Sequence, residues 1–254
     1  MSETGGGEYI ESLDRGLRVL QQLGAMGRPA TLSDLARTAN LPRATARRIL
    51  FTFQRGGFVA SDGKLFSLTP RVLSLASAYL SSNQIVAVLQ PMMDVVATET
   101  REVCSMAVLD GAEAVFVARA SPARVFSAGI DLGYRLPAFC SSVGRVLLSR
   151  LGNDELLETL RATAITGMTA HTVMDRDVIA ATIISDRSKG YSLVDQEAED
   201  SFRSIAVPVR RYDGAIVAAI NVGSHVDRIS TGEMIDRFLP PLRKVAASVQ
   251  PLLV

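Results

Sequence analysis

The first third of the chain alternates apolar and polar positions with a helical period. In IESLDRGLRVLQQLGAM, Leu13, Leu17, Leu20 and Leu23 fall at helical spacing, and Gly27 followed by Pro29 ends the run. TLSDLARTAN comes next, with Thr31 and Asp34 placed as a capping pair ahead of Leu32, Leu35 and Ala36. Asn40 suits a left-handed turn and Pro42 the start of a third helix. On that helix, within LPRATARRILFTFQRGG, a step of about 100° per residue gathers Ala46, Ile49, Leu50 and Phe53 into one apolar arc. Ala44, Arg47, Arg48 and Arg55 fall on the opposite side. The same phase leaves Phe51 outward, unless the wing or the linker covers it or the phase slips by one residue. FVASDGKLFSLT then gives two short alternating runs joined by Asp62-Gly63, a hairpin signal. Two short helices, a tight turn and a following hairpin outline a winged helix-turn-helix.

Residues 72–90, VLSLASAYLSSNQIVAVLQ, carry no charge. SSNQ in the middle and the recurring serines argue for a partly buried helix over a membrane span. Beyond it, 103–109 and 112–119 read as strands turning at Asp110-Gly111, and IAVPVRRYDGAIVAAINV as a second hairpin turning at Asp213-Gly214. Between the hairpins lie helical stretches, SVGRVLLSRL, NDELLETLRATA and RDVIAATIISDRSKG. TGEMIDRFLPPLRKVAASVQPLL closes the chain as a helix interrupted near Pro240-Pro241. The expected architecture has two domains. A frayed, disordered tail (1–9) precedes a mainly α winged helix-turn-helix (10–71), a linker and dimerisation helix (72–90) and an α+β domain (91–254).

Charge sharpens this division. The chain has 254 residues, net charge +1 and 48% apolar residues, which excludes both a disordered chain and a uniformly basic binder. Residues 1–71 hold ten Lys/Arg against six Asp/Glu, whereas 91–254 hold seventeen against twenty. Acids are absent from 35–61, so no carboxylate one turn away neutralises the arginines of the third helix. Positive charge set between a turn and a wing points to double-stranded DNA: arginine and lysine neutralise phosphates and fork onto guanine, and threonine serves either phosphate or base. The candidate DNA contacts are Thr31, Ser33, Arg43, Thr45, Arg47 and Arg48, with Lys64 reaching from the wing to a flanking phosphate or the minor groove. One such module buries little DNA. A homodimer is therefore expected, with Leu73 and Leu80 packed across the 72–90 helix.

Other chemistry is sparse. Cys104 and Cys140 lie far apart, without zinc or disulfide spacing, and read as buried free thiols. His171 and His225 read as loop or strand-end residues; neither lies in a metal or nucleophile motif, and no phosphate-cradling or nucleophile-elbow sequence occurs. No catalysis, cofactor or metal is expected. The acidic, glycine-rich start MSETGGGEYIES has no apolar stretch of a signal peptide, and a cytoplasmic protein with no membrane partner is expected.

The motifs SLDRGLRVLQQL, TLSDLARTANLPRATARRIL and GFVASDGKLFSLTPRVLSL resemble the N-terminal half of IclR-type bacterial transcriptional regulators. VCSMAVLDGAEAVFVAR, LGYRLPAFCSSVGRVLLSRL, GYSLVDQEAEDSFRSIAVPV and AAINVGS continue the resemblance in order through the effector domain. CSSVGRVLL and the VDQE and RSIAVPV segments look most like the subgroup that controls aromatic-acid breakdown by the β-ketoadipate pathway. The resemblance implies a GAF/PAS-like effector domain and tetramers built as pairs of dimers. It also implies a small carboxylic-acid effector such as protocatechuate, p-hydroxybenzoate or a β-ketoadipate-type compound. Carried over by motif, the pocket involves Leu136, Ser142, Val143, Asp195, Ser204 and Asn221. Ser141 and Ser142 precede a helix whose first turn offers N–H groups to a carboxylate, or one of them simply caps that helix. Arg145, in the first turn of that helix, either joins the carboxylate or faces water, and Arg124 and Arg203 are further carboxylate candidates, or members of scaffold ion pairs.

Overall fold

The computed structural model describes residues 9–82, 84–122 and 132–253. Most of the expected tail (1–8) and Arg124 lie outside the described residues. The chain forms two compact units, Met1–Ser82 and Asn83–Val254.

The first unit runs α1 (Glu11–Ala25), β1 (Ala30–Thr31), α2 (Leu32–Thr38), α3 (Arg43–Arg55), β2 (Val59–Ser61), β3 (Leu65–Leu68) and, after a short 3₁₀ turn, α4 (Leu73–Ser82). Thr31 caps α2 by accepting the Asp34 N–H, and Asn40 takes the left-handed conformation at φ 52° between α2 and α3. Its core is Val19, Leu23, Leu35, Leu50 and Val59, with Ile49 and Phe53 packed against it. The α1 stripe is narrower than the leucine spacing suggests. Leu13 and Leu17 are exposed, because Gly16 and Val19 take the inward arc and Gly16 faces the Phe53 ring. β1 pairs with β3 to give the order β1-β3-β2; two residues are too few for a periodicity to announce.

The second unit holds α5 (Gln84–Thr100), β4 (Val103–Asp110), β5 (Glu113–Ala120), β6 (Arg135–Pro137), a 3₁₀ turn at Ala138–Cys140, α6 (Ser142–Leu148), α7 (Asn153–Ala162), α8 (Arg176–Lys189), β7 (Ser192–Asp195), β8 (Phe202–Arg210), β9 (Ile216–His225) and α9 (Thr231–Val249). The strands form one antiparallel sheet ordered β6-β5-β4-β9-β8-β7. Cys104, Ser105, Met106 and Ala107 are buried in succession, so β4 is covered on both faces. α6 packs on β4, β8 and β9, while α5 and α9 pack on each other and on β5 and β8.

Over the expected linker helix, 72–90, the described residues carry α4 up to Ser82 and α5 from Gln84, which runs on to Thr100; residue 83 lies outside the described residues. Leu89, Met93, Val96 and Ala97 are buried in α5, which ties residues 84–90 to the second unit. At the other end, α9 passes through Pro240 and Pro241 unbroken. Burial of Met234, Phe238, Leu242, Val245 and Val249 along one face holds the helix together where two N–H donors are missing, and Pro240 faces solvent. Among the described residues no single helix is long and apolar enough to cross a membrane.

Candidate nucleic-acid interface and effector pocket

α3 separates its oil from its charge as the angular count requires. Ala46 and Leu50 are fully buried, and Arg43, Arg47 and Arg48 are exposed. Phe51 is outward as well, 64% exposed, so neither a covering element nor a phase slip is needed. An open cleft of about 780 Å³ runs between α3 and the wing, lined by Arg43, Arg47, Arg48, Phe51 and Gln54 on one side and Ser61, Gly63 and Lys64 on the other. The wing turn is set by Asp62. Its carboxylate accepts the Lys64 N–H at 2.9 Å and the Leu65 N–H at 2.7 Å, which holds it below the usual carboxylate range, and Gly63 takes φ 95°. Asp62 therefore fixes the turn that places Lys64 in the cleft lining.

Among the described residues the ion pairs of this unit are Arg15–Glu11, Arg18–Asp14 and Arg37–Asp34. Arg43, Arg47, Arg48 and Lys64 are left without a carboxylate, as a phosphate-binding face needs. The cleft gathers five of the seven expected contacts. Thr31 sits at its edge with its hydroxyl donated to Asp34 at 2.7 Å. Ser33 instead lies with Arg37 and Arg43 in a separate cleft at the α2–α3 turn, and Thr45 faces the groove between α1 and α3 beside Ile49 and Phe53. Gln54 and Ser61 join the cleft without having been singled out, and Phe51, left outward by the helical phase, joins it as well.

In the second unit a cavity of about 110 Å³ is lined by Phe116, Tyr134, Leu136, Ser141, Ser142, Val143, Ala198, Glu199, Phe202, Ser204 and Asn221. α6 supplies Ser142 and Val143, β6 Leu136, β8 Ser204 and β9 Asn221. The two serine hydroxyls are 2.8 Å apart, and one bonds the other. Since each hydroxyl carries a single hydrogen, the pair has one left to donate elsewhere. Ser141 Oγ accepts the Gly144 N–H at 3.2 Å and donates to the Pro137 carbonyl at 3.1 Å, so it serves as the α6 cap. Asn221 is 6% exposed, and its Oδ1 is buried with no hydrogen-bond partner among the described residues. An unpaired buried acceptor beside a cavity is an unfilled demand for a donor.

Asp195 is outside this lining. It receives both Nε (3.0 Å) and Nη2 (3.3 Å) of Arg203, whose Nη1 donates to the Ile229 carbonyl at 2.8 Å. Arg145 is likewise committed. Only 3% exposed, it bonds Glu197 at 2.7 Å and the Phe139 carbonyl at 2.8 Å. Both arginines are scaffold members, and among the described residues Glu199 is the one charged side chain lining the cavity. The sequence did not disclose the walls formed by Phe116, Tyr134 and Phe202, which come from strands and turns far apart in the chain.

Two backbone approaches shape the pocket. A Cβ on Gly144 would lie 2.3 Å from the Ala138 Cα, and one on Gly223 would lie 2.4 Å from the Phe202 ring. Burial pushes both thiols up, Cys140 to about 11 and Cys104 further. His225 ends β9 and His171 lies in a turn, both exposed.

Comparison with known proteins identifies both units. Residues 12–63 match the IclR helix-turn-helix domain, and residues 77–250 match the bacterial transcriptional regulator IclR C-terminal family. The chain is 38% identical over 240 residues to the Pca regulon regulatory protein of Pseudomonas putida, covering 94% of this chain and 82% of that protein. It is 34% identical over 250 residues to the p-hydroxybenzoate hydroxylase transcriptional activator of Acinetobacter baylyi, covering 96% and 92%. Among solved structures it resembles the inducer-binding domain of a PobR double mutant from Acinetobacter in complex with 3-hydroxybenzoic acid (33% identity, TM-score 0.63, 66% of this chain and 98% of that one). It also resembles an IclR homolog from Microbacterium hydrocarbonoxydans complexed with 4-hydroxybenzoate (25% identity, TM-score 0.78, 94% and 98%). A winged DNA-binding unit, an α+β effector-binding unit and family matches across both lead to one conclusion: the chain belongs to the IclR family and is a DNA-binding transcriptional regulator.

Proposed function

We propose that the protein regulates genes of aromatic-acid breakdown in response to a hydroxylated benzoate. The observation that carries this reading is the unpaired Oδ1 of Asn221, which lines one small cavity together with the Ser142–Ser204 pair. At about 110 Å³ the cavity is well below the volume that drug-sized ligands occupy, which restricts its occupant to a compact molecule. Phe116, Leu136, Val143 and Phe202 offer the ring an apolar wall. The spare serine hydrogen donates to the carboxylate, and a ring hydroxyl donates to Asn221. The relatives named above for p-hydroxybenzoate and the neighbours holding 3- and 4-hydroxybenzoate support this class. Protocatechuate, a dihydroxybenzoate, falls within this class; a β-ketoadipate-type compound is the alternative.

In this reading α3 enters the major groove of operator DNA, with Arg43, Arg47 and Arg48 on phosphates and base edges and Lys64 outside it. Thr31, Ser33 and Thr45 are supporting contacts. The protein acts in the cytoplasm as a homodimer that pairs through α4, where Leu73, Leu75 and Tyr79 are exposed and no residue is buried; pairs of dimers form tetramers through the effector domains. An effector acts by favouring one placement of the paired DNA-binding units over another.

Thermal unfolding in the presence of benzoate, 3- and 4-hydroxybenzoate, protocatechuate and adipate tests the effector class. A hydroxybenzoate or protocatechuate should stabilise the protein more than benzoate does. Asn221→Leu should abolish that preference. No stabilisation by any member of the panel would overturn the proposal.

A further inference from the structure

A large aromatic side chain exposed to water on a cationic face calls for an occupant that is apolar where it meets the ring and anionic around it. Phe51 follows Arg47 by four residues and Arg48 by three, so it shares their ridge on α3. It lies about 6 Å further along the axis than Arg47, at 1.5 Å per residue. The cleft it lines carries Arg43, Arg47, Arg48 and Lys64, and residues 35–61 contain no acid. Phe51 adds little to the core, at 64% exposed; Phe53, two residues on, provides that packing instead. Charge complementarity therefore commits the occupant to nucleic acid. In the major groove the apolar feature on a base edge is the 5-methyl group of thymine, and phosphates flank it on both sides.

We propose that Phe51 is a specificity-determining residue that reads a thymine methyl group in each half-site. The inference rests on α3 being the recognition helix. It differs from the arginine contacts in kind: an arginine on a phosphate holds any sequence, whereas an aromatic ring on a methyl group discriminates thymine from the other bases. Phe51 should contribute nothing to counterion release, which separates it from a residue that merely approaches the backbone.

The test uses the full-length chain and a duplex that the wild type enriches from a random library. Each thymine of the duplex is replaced singly by deoxyuridine, which removes one methyl group and leaves the pairing intact. Wild type should bind about fourfold more weakly at one or two positions per half-site, the fold-change expected for one apolar carbon returned to water. Phe51→Ala should bind the thymine and uracil duplexes equally, with an unchanged salt slope, and Phe51→Leu should keep part of the discrimination. Arg47→Ala should weaken both duplexes alike while retaining the discrimination. If wild type is indifferent to every methyl group, or Phe51→Ala still discriminates, the assignment of Phe51 is overturned. If Arg47→Ala binds as tightly as wild type, the recognition-helix reading beneath it fails instead.

Discussion

Replacing Arg145 by methionine distinguishes a scaffold ion pair from an effector contact. Arg145 and Glu197 are 3% and 8% exposed, with Nη2 and Oε2 2.7 Å apart. Arg145 also bonds the Phe139 carbonyl at 2.8 Å, and Glu197 Oε2 accepts the Val173 N–H at 3.1 Å. Methionine fills a similar volume but leaves a buried carboxylate with one backbone donor and no counter-charge. Stranding one partner of such a pair costs about 3–5 kcal/mol. In a unit of this size that lowers Tm by on the order of 10 °C. Adding Glu197→Gln should restore a large part of the loss, since a neutral amide still accepts from Val173 and no charge is stranded. Urea unfolding of the single and double variants, with hydroxybenzoate titrations on the folded fraction, provides the assay. A loss below about 1 kcal/mol for Arg145→Met, combined with a collapse in effector affinity, would refute the scaffold assignment.

Gly144→Ala should destabilise the second unit by roughly 3 kcal/mol, at the upper end for an overpacked site, because its Cβ would meet the Ala138 backbone at 2.3 Å and not a yielding side chain; a loss within 0.5 kcal/mol in urea unfolding, the range of a neutral surface change, would contradict the packing. Cys140 holds its proton in the folded state up to about 11, above its ordinary value, so it contributes stability below its unfolded pKa that is lost as pH rises from about 9 towards 11. Unfolding free energies over that range should fall, and neither thiol should react with a disulfide reagent at pH 8 until the chain unfolds. Arg47→Ala and Arg48→Ala should each reduce the slope of log affinity against log salt by about 1 if the side chain neutralises a phosphate, a change read by anisotropy titrations at several salt concentrations.

Legibility in the sequence followed the range of the interaction. The two faces of the third helix could be read: Ala46 and Leu50 against Arg47 and Arg48 is a local contrast, and even Phe51 came out on the correct side, although Thr45, expected on DNA, faces the groove between α1 and α3. The hairpins at Asp62-Gly63, Asp110-Gly111 and Asp213-Gly214 were equally local, each fixed by its turn residues. Pro240 and Pro241 misled because local helix-breaking propensity lost to a buried face running from Met234 to Val249. Arg145 could not be assigned from sequence, since its partner Glu197 is 52 residues away. Asp195 carried a motif match but bonds Arg203, and only the strand register of β7 against β8 reveals that the two are paired residues. The cavity walls at Phe116 and Phe202 depend likewise on the order of the sheet, which no short window encodes.

Regulation requires one coupling: the small molecule that fills the pocket must change how the chain holds DNA. The direct measurement is the affinity of the full-length protein for a duplex it enriches from a random library, with and without saturating hydroxybenzoate or protocatechuate. A ligand that stabilises the protein should shift that affinity by at least about fivefold in either direction, and the duplex should shift the ligand's affinity by the same factor. If the ligand binds and the DNA affinity stays the same, the effector binds both forms equally, and the claim that this protein is switched through its Asn221 pocket is contradicted.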